Sequence, residues 1–301
     1  MGKRARMGYL YIAPWIFGFI VFQLFPIIYS FVISLNQWDM LSTPKFVGFD
    51  NYKNLFLHDP IFLLSLRNTS FNMIFSMSIG ICLALIIAAI LAENIRGNYT
   101  YRTFFYLPNL IVPVAFGLMM APIFRSQEFG LLNIVLSKFG IQPVYWLEDP
   151  NISIWTVIFT GLWYFGGSMV IFLAGIKSIP KSYYEAAQID GAGWLGCFFR
   201  ITIPLLMPVL LFQIITGLIG SLQIFDLAAS MAGIGQNVYT NMGRNNGLAT
   251  LLFYLYIKGF RFWEMGAASA IGWVVFIIGL ILSVFVIQIL KKSAYSTDEV
   301  D

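Results

Sequence analysis

Glu185, Ala186 and Ala187, then Gly191, then Ile201, Ile203 and Pro204 stand in a polar stretch, residues 178–208, between two long apolar runs. The chemistry these residues offer is docking rather than bond breaking. Two adjacent alanines let another surface approach closely. The Glu185 carboxylate and a phenol at Tyr183 or Tyr184 could anchor the stretch in a partner's cleft, as small buried hot spots do. Ser178 reads as the N-cap and Pro180 as a first-turn residue of a helix over Lys181–Ile189. Asp190-Gly191 stops that helix, because glycine accepts the left-handed backbone of a C-terminal turn. A second short helix is expected over 192–200, and Pro204 and Pro208 mark entry into the next apolar run.

A second group of residues lies inside the apolar runs. Trp163, Tyr164 and Ser168 in one run, with Ser221 and Gln223 in the next, are the least lipid-like side chains at depth. Aromatic faces with a few polar groups suit sugar rings, which have apolar faces and hydroxyl edges. Helix packing accounts for the same residues: Gly217 and Ser221 make a small-xxx-small pair, and Trp and Tyr favour membrane interfaces. Asp226, the one acid inside an apolar run, reads equally as a boundary residue in water and as a pocket residue.

Other chemistries lack their parts. The chain has no G-x-x-x-x-G-K-[ST], so it cannot cradle ATP in a P-loop. It has no Ser–His or His–carboxylate set and no zinc motif, so no catalytic residue and no metal ligand is assigned. Its single histidine, His58, reads as a loop residue. No span carries an acid pair, a histidine or a central arginine, groups that proton- and sodium-coupled carriers usually place in the bilayer. Net charge is +4 with no basic cluster, which argues against nucleic acid. Cys82 and Cys197 should lie far apart, so no disulfide is expected.

These residues need elements to position them. Of 301 residues, 59% are hydrophobic and 11% charged. Runs of about 20 apolar residues imply membrane helices. The expected fold is an all-α polytopic membrane protein with six transmembrane helices, over about 9–35, 71–91, 104–124, 153–176, 205–227 and 266–290. Residues 1–8 form an N-terminal segment, 291–301 a tail, and 178–204 the loop between the fourth and fifth spans. A short helix is expected over 249–260. Three prolines in the third span, Pro108, Pro113 and Pro122, argue for a helix buried among others. With the N-terminus inside, ten Lys/Arg fall on inner segments and eight on much longer outer loops. This density sets both termini and the 178–204 loop in the cytoplasm.

The pattern E-A-A, three residues, G, nine residues, I-x-L-P is the signature of importer permeases of the ATP-binding-cassette class, and residues 185–204 resemble it closely. The departure is Ile203 where leucine is usual, a volume-conserving swap. Phe46-Val47-Gly48-Phe49-Asp50-Asn51-Tyr52, Asn68-Thr69, Gly130 to Asn133 and Trp146 to Pro150 are similar to further motifs of the carbohydrate-uptake members. These include the maltose, lactose and glycerol-phosphate systems, and the first of their two paired permeases is the more similar. The outer segment 231–246 lacks their T-x-G-G-P.

The resemblance implies a permease subunit that forms the pathway for a sugar or oligosaccharide delivered by an extracellular binding protein. It implies a heterodimer with a second related permease and two ATPase subunits, which hold the ATP and magnesium, so that this chain is no enzyme and carries no cofactor. It places the chain in a bacterial or archaeal plasma membrane. Tyr184, Glu185, Ala186, Ala187, Asp190 and Gly191 would then couple to the ATPase through a cytoplasmic helix. A permease for another solute, such as a polyamine, phosphate ester or peptide, is the alternative within the class. A self-contained channel or secondary carrier is the alternative outside it.

Overall fold

The computed structural model describes residues 3–93, 95–125, 130–233 and 242–295, which are mostly helical with almost no strand. Among the described residues, three helices are long and apolar enough to cross a membrane: Tyr11–Ser34, Pro60–Ala92 and Met265–Gln288. Three bent pairs raise the total to as many as six if each pair is one span. The chain divides into two compact units, Met1–Leu63 with Tyr254–Phe276, and Leu64–Phe253 with Ile277–Asp301.

In the first unit, Lys3–Phe19 continues through a π-turn, Ile20–Leu24, into Phe25–Ser34. The loop that follows holds a short antiparallel pair, Asn36–Gln37 with Lys45–Phe46. Asn51 and Tyr52 close off the first span's end. The Asn51 amide donates to the carbonyls of Ser34 (2.8 Å) and Asn36 (2.9 Å), and the Tyr52 and Ser34 hydroxyls are bonded at 2.7 Å. Carbonyls orphaned at a helix terminus thereby find donors. Asp59 caps the start of the Pro60–Ala92 helix by accepting from the N–H groups of Ile61 and Phe62. Its other oxygen accepts from the Tyr254 hydroxyl, and Lys258 lies 3.7 Å away. Burial, then the bond to Asp59, pushes the Tyr254 phenol well above its usual range.

The second unit is built on broken helices. The expected third span, 104–124, is not continuous. Asn98–Tyr106 tightens into a 3₁₀ turn, Leu107–Leu110, and Pro113–Met120 leaves at 96°. Val112 is extended (φ −60°, ψ 134°) because the ring of Pro113 disfavours a helical residue before it. The fourth span breaks at Trp163 and Tyr164, where Ser153–Leu162 meets Phe165–Ser178 at 41°. The fifth helix, Met207–Leu222, ends five residues short of the expected boundary, and Asp226–Met231 follows.

Local differences have local causes. The Ser178 hydroxyl donates to the Gly175 carbonyl (2.7 Å), so it finishes the preceding helix instead of capping the next, and Pro180 is the N-cap. The helix expected over 192–200 is a single turn, Trp194–Cys197, running into a π-turn, Phe198–Thr202. The helix expected over 249–260 is Leu251–Tyr256 followed by a π-turn, Ile257–Arg261. Residues 234–241, the middle of the segment that departs from the importer pattern, lie outside the described residues.

Among the described residues, two buried clusters hold the second unit. Met169, Phe172 and Leu173 pack with Ala84, Ala88, Leu206 and Leu210, while Phe116, Val157, Leu227, Met231 and Leu248 form the other. Small residues allow the closest approaches. A Cβ at Gly166 would overlap the carbonyl oxygen of Phe105. Gly166→Ala should therefore destabilise by about 1–3 kcal/mol through overpacking, read as a lower melting temperature in detergent. The same change at Gly220, where a Cβ meets nothing within 4 Å, should be near neutral.

Candidate functional site

The breaks leave backbone polar groups exposed inside apolar surroundings, and side chains satisfy them. With the Asn109 amide turned so that both its ends are bonded, Nδ2 donates to the Tyr164 carbonyl (3.1 Å) and Oδ1 accepts from the Gly167 N–H (3.2 Å). Reciprocally, the Tyr164 hydroxyl donates to the Ile111 carbonyl (3.1 Å) in the other break. The third and fourth spans are thus latched break to break. The Thr250 hydroxyl donates to the Ile224 carbonyl (2.8 Å), between Met207–Leu222 and Asp226–Met231. Asn68 and Thr69 serve the segment before Leu251: the Asn68 amide bonds the Gly247 and Ala249 carbonyls, and the Leu251 N–H donates to the Thr69 hydroxyl.

A cavity of about 480 Å³ lies alongside these breaks. Tyr164, Ser168, Ser221, Gln223 and Asp226 all line it, so five of the six residues expected to face a solute share one wall system. Trp163, about half exposed, lies outside the lining. Asp226 is exposed and begins its own short helix, where a carboxylate suits the positive end of the peptide dipoles. It is the only carboxylate among the described lining residues.

Sequence reasoning passed over Asn72, Ser76, Gln213 and Thr216, which also line the cavity. A signal was available: polar side chains within a membrane span are costly to bury and usually face a cavity or the protein interior. Asn72 and Gln213 are 1% and 5% exposed.

The polar elbow is a second surface. A helix forms over Lys181–Ile189, and Gly191 follows at φ +82°. Its N–H donates to the Gln188 carbonyl (3.0 Å) and that of Ala192 to the Ala187 carbonyl (2.8 Å), closing the terminus. Glu185, Ala186 and Asp190 are exposed and Ala187 is half-buried. Tyr183 is 54% exposed and Ile189 87% exposed. Tyr184 points the other way. It packs on the Met169–Phe172 cluster and shares a 3.0 Å hydrogen bond with Thr202. Of the two phenols considered for a partner's cleft, Tyr183 is the free one, whereas Tyr184 fastens the elbow to its own span.

Residues 80–294 match the family described as the binding-protein-dependent transport system inner membrane component. The chain belongs to that family. It is therefore a multi-pass membrane component of a transport system. A probable ABC transporter permease protein of Bacillus subtilis, YesP, is 36% identical over 96% of this chain and 90% of its own length. The lactose permease protein LacF of Rhizobium radiobacter is 35% identical over 92% and 91%. The trehalose/maltose permease protein MalF of Thermococcus litoralis is 32% identical over 98% and 96%. Among solved structures, a chain of the bacterial alginate ABC transporter, in complex with an alginate-bound periplasmic protein, superposes with a TM-score of 0.81. It is 24% identical, covering 97% and 96% of the two chains, and shares the fold.

The Tyr184–Thr202 bond should be separable from the packing. Tyr184→Phe should cost about 1 kcal/mol, the net worth of one hydrogen bond. Tyr184→Ala should cost about 3–5 kcal/mol, because it also empties part of the core. Thermal unfolding of the detergent-solubilised chain reads both.

Proposed function

We propose that this chain is the permease subunit of an ATP-driven importer and forms the pathway for a sugar or oligosaccharide delivered by an extracellular binding protein. The observation that carries this reading is the cavity at the helix breaks, which gathers a phenol, hydroxyls, amides and one carboxylate in an apolar frame. Such a lining suits a solute with apolar faces and hydroxyl edges. Relatives named for lactose, trehalose/maltose and arabinooligosaccharides support the class.

In this reading the chain makes six spans with both termini inside, in the plasma membrane of a bacterium or archaeon. It pairs with a second related permease and two ATPase subunits, which bind ATP and magnesium. The exposed face of Lys181–Ile189, with Glu185, Ala186 and Tyr183, is the ATPase contact. Tyr184, locked to Thr202, passes the push into the fifth span. Moving a two-state permease from 1:99 to 99:1 takes about 5.5 kcal/mol of differential binding, a load that a loosely hung helix would dissipate.

The decisive test is reconstitution of the full complex in vesicles, with lactose, trehalose, maltose and arabinotriose offered in turn. Uptake should stop when ATP is depleted and persist when the proton gradient is collapsed; the opposite result returns the secondary carrier. Gly191→Val forces a β-branched residue into left-handed backbone at about 1–2 kcal/mol. It should lower ATP-dependent uptake at least tenfold while the chain still inserts in the membrane. For orientation, Tyr183→Cys, in a chain with Cys82 and Cys197 replaced by serine, should react with an impermeant maleimide in inside-out vesicles only. Labelling from outside would invert the topology and remove the ATPase contact.

A further inference from the structure

We infer that Gln213, assisted by Asn72, reads the hydroxyl groups of the solute; this rests on the sugar-permease reading above. Among the cavity's polar side chains, two are already committed to their own helix. The Thr216 hydroxyl donates to the Phe212 carbonyl (2.8 Å), and the Ser221 hydroxyl to the Leu218 carbonyl (3.0 Å). The amides are not so committed. Gln213 is 95% buried and lines the cavity, and its side-chain amide has no hydrogen-bond partner among the described residues. Asn72 spends Nδ2 on a 3.3 Å bond to the Ser221 carbonyl, while its buried Oδ1 has no partner.

Amides left unpaired in an apolar span are unfavourable unless something binds them. A primary amide offers a donor and an acceptor side by side, which matches a hydroxyl on each side and fits adjacent hydroxyls of one ring. A long 3.3 Å bond is the easier one to exchange, so Asn72 can turn its oxygen to an incoming hydroxyl. The placement adds a length. Gln213 and Ser221, against which Asn72 sits, are eight residues apart on the Met207–Leu222 helix, about 12 Å along its axis. A ligand meeting both amides bridges the Pro60–Ala92 and Met207–Leu222 helices. The inferred class is a hydroxyl-rich solute, with Gln213 as a specificity-determining contact.

The test uses the complete reconstituted complex and the four sugars named above, together with monodeoxy derivatives of whichever is transported. Gln213→Met keeps length and apolar packing but removes the amide. Its KM should rise at least tenfold, and its preference for the parent sugar over the deoxy derivative that wild type discriminates against most should shrink toward one. A purely structural role would lower the melting temperature with that preference intact, and this result would overturn the inference, as would an unchanged KM. Gln213→Cys, in the background lacking Cys82 and Cys197, gives an arm that needs no transport. It should react with a small hydrophilic methanethiosulfonate, more slowly in the presence of the transported sugar. Failure to react from either side of the membrane removes Gln213 from the pathway even if uptake is normal. Failure of wild type to move any of the four sugars, with position 213 reactive, instead overturns the sugar reading and with it the ligand class inferred here.

Discussion

Peptide groups cannot be left bare in a hydrocarbon layer, and this constraint decides how the permease can have a cavity at all. An uninterrupted helix satisfies its own backbone but presents only side chains to a solute. A broken one opens space and leaves carbonyls and N–H groups to be accounted for. Here three interruptions borrow from elsewhere: Asn109 serves the break at Trp163–Tyr164, Tyr164 serves the one at Ile111, and Thr250 serves the helix end at Ile224. The reciprocity between Asn109 and Tyr164 makes two spans interdependent, so movement of one break is felt at the other.

The same economy appears at the elbow. Tyr184 has one hydrogen bond and one packing role, yet together they turn a two-turn helix into an extension of the span that follows. Trp194 stacks on Phe198 at 5.4 Å and stiffens the start of that span. The π-turn Phe198–Thr202 lies between the stack and the Tyr184 bond. π-turns are irregular points in a helix and are frequent where function needs adjustment. Side chains that hold the chain together thus face inward, while Glu185, Ala186 and Tyr183 are exposed.

Much of this was legible beforehand. The apolar runs, the polar elbow and its stop at Asp190-Gly191 are local patterns, and local patterns survive folding. The helix forms over Lys181–Ile189, and Gly191 takes the left-handed backbone that its position implied. Less legible were the breaks. Hydropathy averages over a window, so a run interrupted by a kink at Trp163, or by a helix end at Gln223, reads as one span. Prolines flagged the third span, but their number suggested burial when the consequence was a 96° turn.

The sequence alone determined the class of molecule: composition required a bilayer, and the spacing from Glu185 to Pro204 identified the elbow and the family that the match over residues 80–294 shows. It also marked Tyr164, Ser168, Ser221, Gln223 and Asp226 as unlike lipid-facing residues. Only the tertiary structure decided which of them meet, that Trp163 does not join them, and that Gln213 and Asn72 do. It alone set Tyr184 inward and Tyr183 outward. The physical reason is that polarity is written in each residue, whereas hydrogen-bond partners come from segments tens to nearly two hundred positions away. Whether an amide is spent or free depends on those distant partners.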